Sequence, residues 1–199
     1  MELLLFYFIL CLISLDYINS FNHEPHTAAY TDKDYKFTMG DEFIFMEILN
    51  PTELRYTYKL SPSTYTPSWN MQFSGINLIV SDPLYGCGSY LNNVKDKIVF
   101  VQRGECSFFS KGIKAQEAGA LGILISDNNF ENDDNYYNME DDFTERKVEI
   151  PMAFLEGKSS FKIRNVMVKN GMDEILIRIP VNISNISIEN LNLLPWLIW

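Results

Sequence analysis

Histidine and cysteine are scarce in this 199-residue chain: two of the first, at 23 and 26, and three of the second, at 11, 87 and 106. A Cys/His zinc site needs three or four convergent ligands, so the scarcity excludes one. Basic residues are few as well. Sixteen Lys and Arg stand against 26 Asp and Glu, for a formal charge of −10, which disfavours nucleic acid and anionic membrane as main partners. No G-x-S-x-G nucleophile elbow occurs. Both histidines fall in a polar stretch near the N-terminus, a poor setting for a catalytic base, which needs a rigid and tuned environment. The His23-Glu24-Pro25-His26 group lacks the i, i+4 spacing of a helical metal site. We therefore expect no catalytic residue, no metal site and no cofactor. What remains is ordinary globular composition, 47% apolar and 21% charged, without a repeat or a low-complexity tract.

The apolar run Leu3 to Leu15 (LLLFYFILCLISL) holds thirteen residues and no charge. A membrane-spanning helix needs about 20 such residues, whereas a secretory signal needs roughly 7–15. Residues 1–20 are read as a signal peptide cleaved after Ser20, which implies a secreted or lumenal protein with no stable membrane span. Cleavage removes Cys11 and leaves Cys87 and Cys106. An even pair in an oxidising compartment predicts one disulfide, with two free thiols as the alternative. Asn182-Ile183-Ser184 and Asn185-Ile186-Ser187 are N-glycosylation sequons in keeping with that compartment, and Asn182 is the favoured one.

Residues 21–42 read as a polar leader, because they lack periodicity. Phe43 to Leu49 and Leu54 to Leu60 are β-rich runs joined by Asn50-Pro51-Thr52-Glu53, which predicts a hairpin. Ile76 to Val80 is a short strand that stops at Ser81-Asp82-Pro83. In the centre, Lys97 to Gln102 (KIVFVQ) reads as a buried strand, Ser107 as the cap of a helix that ends at Gly119, and Leu121 to Ser126 (LGILIS) as a second buried strand. Strand, helix and strand within thirty residues make a β-α-β unit with parallel strands. Residues 127–147 form a long acidic loop. Asp127, Asn129, Glu131 and Asp133 alternate as calcium ligands do, but Asn132 and Asn138 stand where such a loop needs Gly and a bidentate Glu, so a solvated loop is expected. Ile150-Pro151 leads into an apolar segment. Glu156 to Lys169 is helical in pattern, with Phe161, Ile163, Val166 and Val168 as core contacts and Gly171 ending it. Glu174 to Ile183 is a last strand with one face open at Arg178. Within the C-terminal tail, residues 184–199, the apolar stretch Leu191 to Trp199 is expected to pack back on the domain, since its large apolar groups would be unusual in water, with an exposed docking peptide as the alternative.

Several of these elements, in this order, resemble the protease-associated (PA) domain family. Arg103-Gly104-Glu105-Cys106-Ser107-Phe108-Phe109-Ser110-Lys111 followed by Ala115-Gln116-Glu117-Ala118-Gly119-Ala120 is similar to the family pattern R-G-x-C-x-F-x-x-K, then A-x-x-A-G-A. Cys87-Gly88 upstream and Ile150-Pro151 downstream fit as well. The edges of the chain resemble free-standing secreted members built from a signal peptide, one PA domain and a short tail. The resemblance covers about residues 43–181, with the PA domain placed at 43–183. It implies a mixed α/β fold, a β-barrel or sandwich-like sheet flanked by helices. It implies a module that binds protein or peptide or regulates access to a catalytic domain; the reading is a non-catalytic interaction module, with a protease regulator acting in trans or a secretory-pathway sorting adaptor as the alternatives. Arg103 and Lys111 are the candidate partner contacts. The plainer expectation is that Arg103 satisfies turn carbonyls and Lys111 lies on the solvent face of its helix.

Overall fold

Seven strands close into a barrel in the spatial order β1-β2-β6-β5-β4-β3-β7. The computed structural model describes residues 43–132, 137, 139–140, 142–184, 186–187 and 190–197. Residues 1–42, where a signal peptide and a polar leader are expected, lie outside the described residues, as do Asp133, Asn138, Asn185 and the last two residues. The strands are β1 (Ile44–Asn50), β2 (Thr57–Pro62), β3 (Phe73–Val80), β4 (Ile98–Gln102), β5 (Gly122–Ser126), β6 (Met152–Leu155) and β7 (Glu174–Ile179). Helix α1 (Phe108–Glu117) links β4 to β5, and α2 (Gly157–Lys169) links β6 to β7. The fold is mixed α/β, and no helix of the described residues is long and apolar enough to cross a membrane.

Strands β3, β4, β5 and β6 run parallel to one another, in registers such as Leu78 opposite Ile98, Phe100 opposite Leu124 and Ile125 opposite Phe154. The remaining contacts, β6 with β2, β2 with β1, β1 with β7 and β7 with β3, are antiparallel. Because side chains alternate across a strand, the parallel strands feed two cores. Ile98, Phe100, Leu124, Ala153 and Leu155 face one, shared with Met46, Ile48, Tyr58, Ile177 and the α2 residues Ile163 and Met167. Val99, Val101, Ile123, Ile125, Met152 and Phe154 face the other, closed by Phe109 and Ala115 of α1. Parallel strands need this cover on both faces.

The expected hairpin is present, but its second strand starts three residues late. Thr52–Leu54 form a 3-10 turn that drops Leu54 into the core. The β-α-β unit forms as expected. Ser107 Oγ accepts the Ser110 amide proton at 3.0 Å and caps α1, a contact worth about 1 kcal/mol. Gly119, at φ +80°, ends that helix region in the left-handed conformation that favours glycine.

Helix α2 differs in phase from its expected core face. Phe161 and Val168 are exposed, 48% and 81%, while Ser159, Ser160, Ile163 and Met167 are buried. The helix starts on glycine because it must approach the loop after β5 closely: a Cβ on Gly157 would stand 1.6 Å from the Asn129 carbonyl oxygen. Large residues are turned outward by that contact. Strand β7 has the expected open face, with Arg178 Nη1 donating to Glu47 at 3.2 Å. It has neighbours on both sides, and Pro180 follows the strand rather than sitting in a ladder.

Candidate functional site

In open parallel sheets, ligands gather beyond the carboxyl ends of the strands, where the connecting loops meet. The same end of β4, β5 and β6 collects the unusual chemistry of this chain. Leaving β4, Arg103 gives way to Gly104 at φ +116° and Glu105 at φ +67°, so the chain turns sharply before α1. Cys106, next in line, is joined to Cys87 in a disulfide with Cα atoms 5.9 Å apart. The bridge staples the loop after β3 to the β4–α1 turn.

Lys111 reinforces the same junction. It is fully buried rather than on the solvent face of α1. Its Nζ donates to the Tyr85 carbonyl at 2.7 Å and the Gly104 carbonyl at 2.6 Å, and lies 3.6 Å from Cys87 Sγ. The turn carbonyls that Arg103 was expected to satisfy are thus held by Lys111. Burial pulls the lysine pKa down to about 8, with the Glu105 carboxylate pulling the other way. An ammonium held this way fixes two loops and is withdrawn from direct partner contact.

Arg103 is partly exposed and stacks on Tyr137, its guanidinium carbon 3.5 Å from the ring centroid. Its Nη1 donates to Asp127 Oδ1 at 3.3 Å. The Asp127 side chain is fully buried. It also accepts from the Asn128 and Asn129 amides at 2.8 and 3.3 Å and from Asn132 Nδ2 at 2.6 Å. Its oxygens therefore organise the loop after β5 and hold the Arg103 guanidinium beside it. Asn132 passes the order on, its carbonyl accepting from the Lys158 amide at 2.9 Å at the start of α2.

Two features of this rim were not legible in the sequence. Arg164, on α2, donates from Nη2 to Ser126 Oγ at 2.8 Å and lies 4.8 Å from the Phe100 ring centroid. Burial draws its pKa down to about 10, with Tyr85 acting in the opposite direction. Phe130 and Phe161 form an exposed aromatic pair, centroids 5.5 Å apart. On a helix, Phe161 and Arg164 lie three apart and share a face. Helical spacing contains that signal; only the β5 loop that brings Phe130 and Ser126 to it is invisible.

In the first sequon Asn182 and Ser184 are exposed and Ile183 between them is buried. Asn182 Oδ1 accepts from the Ser184 amide at 3.0 Å and from the Ser184 hydroxyl.

Comparison with known proteins places these observations. The PA domain profile matches residues 71–163. A Drosophila melanogaster protein called PRADC1-like protein is 34% identical over 161 residues, covering 78% of this chain and 82% of its own length. Vacuolar-sorting receptor 6 of Arabidopsis thaliana is 26% identical over 146 residues, 66% of this chain. An aminopeptidase from Aneurinibacillus sp. strain AM-1 superposes over 69% of this chain with a TM-score of 0.49 and 19% identity. This chain spans 22% of the sorting receptor and 30% of the aminopeptidase.

Proposed function

Because the chain belongs to the PA domain family, we propose that it is a secreted or lumenal, glycosylated, non-catalytic module that binds protein or peptide partners through the loops at the carboxyl ends of β4, β5 and β6. The observation that carries this reading is the construction of that rim. A disulfide, a buried lysine and a buried aspartate hold three loops rigid, while Phe130, Phe161 and Arg103 remain accessible above them. Preorganised loops bearing aromatic and arginine side chains suit recognition, because little entropy is lost on binding. A disulfide in this position fits an oxidising compartment, and the sequon at the exposed Asn182 fits the same compartment. Asp127, Lys111 and Arg164 are all engaged in holding structure, which supports a structural use of these charged groups over a catalytic one.

A second reading follows from one relative. Likeness to a vacuolar-sorting receptor makes a secretory-pathway sorting adaptor a specific alternative to a protease regulator acting in trans. A photo-crosslinking residue at Phe130, with one at Leu176 on the β7 face as the control, tests both. Applied to protein secreted into culture medium, the Phe130 probe should capture a discrete partner that the Leu176 probe does not. A protease among the captured proteins favours the regulator, and a transport receptor favours the adaptor. Equal capture at the two positions would remove the rim as the binding surface. Turnover of a peptide or glycoside by purified protein, lost on one substitution, would end the non-catalytic reading. Asn182→Gln should abolish most of the mobility shift seen on deglycosylation.

A further inference from the structure

A different surface, independent of the rim, is filled by the chain itself. Strand β2 meets β6 only at Ser61 and Pro62. Earlier in β2 the outer edge has another neighbour. The Thr57 amide donates to the Asn192 carbonyl at 2.8 Å, Thr57 and Leu193 form a parallel bridge, and Asn192 Nδ2 donates to the Arg55 carbonyl. From there Leu194 enters the barrel core, fully buried. Trp196 packs against the same core from the outside and donates from Nε1 to Ser159 Oγ at 3.4 Å. Lys158 and Lys162 of α2 each place Nζ 5.4 Å from the Trp196 ring, and Lys162 lies 4.5 Å over Tyr56. The result is a groove with a strand edge on one wall, a helix on the other, one apolar hole, one aromatic seat and a cationic rim.

Among the described residues, the segment in that groove meets the barrel at a few points. Between Ser184 and Leu191, the hydrogen bonds of the described residues are local, such as Ile186 to Ile183 and Asn190 to Ser187. Among the described residues, its attachments to the barrel are the Thr57 and Arg55 contacts, Leu194 and Trp196. A short stretch held by two side chains and a strand edge is what a β-augmentation groove offers to a free peptide.

We propose that this groove is a docking site for an extended peptide of a partner protein, and that the residues from Asn192 to Trp196 are its resident competitor. The occupant is defined by the seats: a leucine-sized residue, a tryptophan or similar aromatic two positions later, and acidic flanks facing Lys158 and Lys162. The tethered tail sets a high local concentration, so an outside peptide binds with an affinity reduced by the closed fraction.

The test uses the full mature chain and two fluorescent synthetic peptides carrying Leu-Leu-Pro-Trp, one flanked by glutamates and one by lysines. Trp196→Ala weakens the competitor while leaving the barrel intact. It should bind the glutamate-flanked peptide about tenfold more tightly than wild type does, and more tightly than it binds the lysine-flanked one. Adding Lys162→Glu should cancel the gain. A folded Trp196→Ala protein with no gain overturns the proposal. In unmodified protein, the Thr57 amide should exchange with deuterium far faster than the Leu124 amide. Equal protection also overturns it. A wild-type dimer that dissociates on Trp196→Ala would assign the groove to a second copy's tail and overturn the partner peptide.

Discussion

The two sides of the barrel are built on different terms. The strands β4, β5 and β6 are buried on both faces, and each is followed by a crossover or loop that contributes to the rim. Strand β7 buries one face and shows the other to solvent, exposed-buried-exposed-buried along Glu174, Ile175, Leu176 and Ile177, and its neighbour β1 is partly open at Glu47 and Leu49. The first side carries runs such as IVFV, GILI and MAFL, the second alternating runs such as EILIRI. The contrast shows where each part of the sequence is constrained. On the parallel side both faces and the following loop must fit at once, so stability and the rim are coupled. On the antiparallel side only one face matters.

Four substitutions sharpen or break that contrast. Phe100→Ala, at the centre of the parallel side, should cost about 3–5 kcal/mol in denaturant unfolding, because it empties a fully buried site. Cys106→Ser opens a closed loop of sequence separation 19 and should cost about 3 kcal/mol, with secretion reduced. Normal export and an unchanged midpoint would show that the rim is held without its staple. Lys111→Met leaves the Tyr85 and Gly104 carbonyls without their donor and should cost about 1–3 kcal/mol. Its pH dependence has a definite sign. The folded lysine pKa, about 8, lies below its ordinary value of 10.5. Between those values the unfolded chain binds more protons, so wild type gains stability as pH rises while the variant does not. The gap between them should widen from pH 8 to 10.5; a gap that stays flat in thermal melts would remove the buried-ammonium account. Arg178→Ala, on the open face, breaks an exposed pair with Glu47 and should change stability by no more than about 1 kcal/mol. A larger loss would erase the distinction between the sides.

How much of this was legible follows the same division. KIVFVQ, LGILIS and the Ser107 cap announce the β-α-β unit because their signals are local: apolar runs of strand length and a hydroxyl at a helix start. The pairing of β7 with both β1 and β3 was not legible, since closure depends on contacts far apart in sequence. Phe161 and Val168 misled because apolarity suggests a core face, whereas the close approach at Gly157 sets the phase of α2. Lys111 misled for the opposite reason. A charged residue suggests solvent, but two loop carbonyls and a disulfide surround its ammonium. The cysteine pair was legible by counting alone; Arg164 and Phe130 needed the loop after β5.

Ring closure has a consequence for how the protein behaves at high concentration. Every one of the seven strands has a strand neighbour on both sides, so the sheet offers little exposed backbone on which another copy could stack in register. Sheet edges left open are the usual templates for fibril growth. The ring therefore leaves fibril growth few strand edges to start from, the main one being the stretch where β2 parts from β6 and the C-terminal segment covers it.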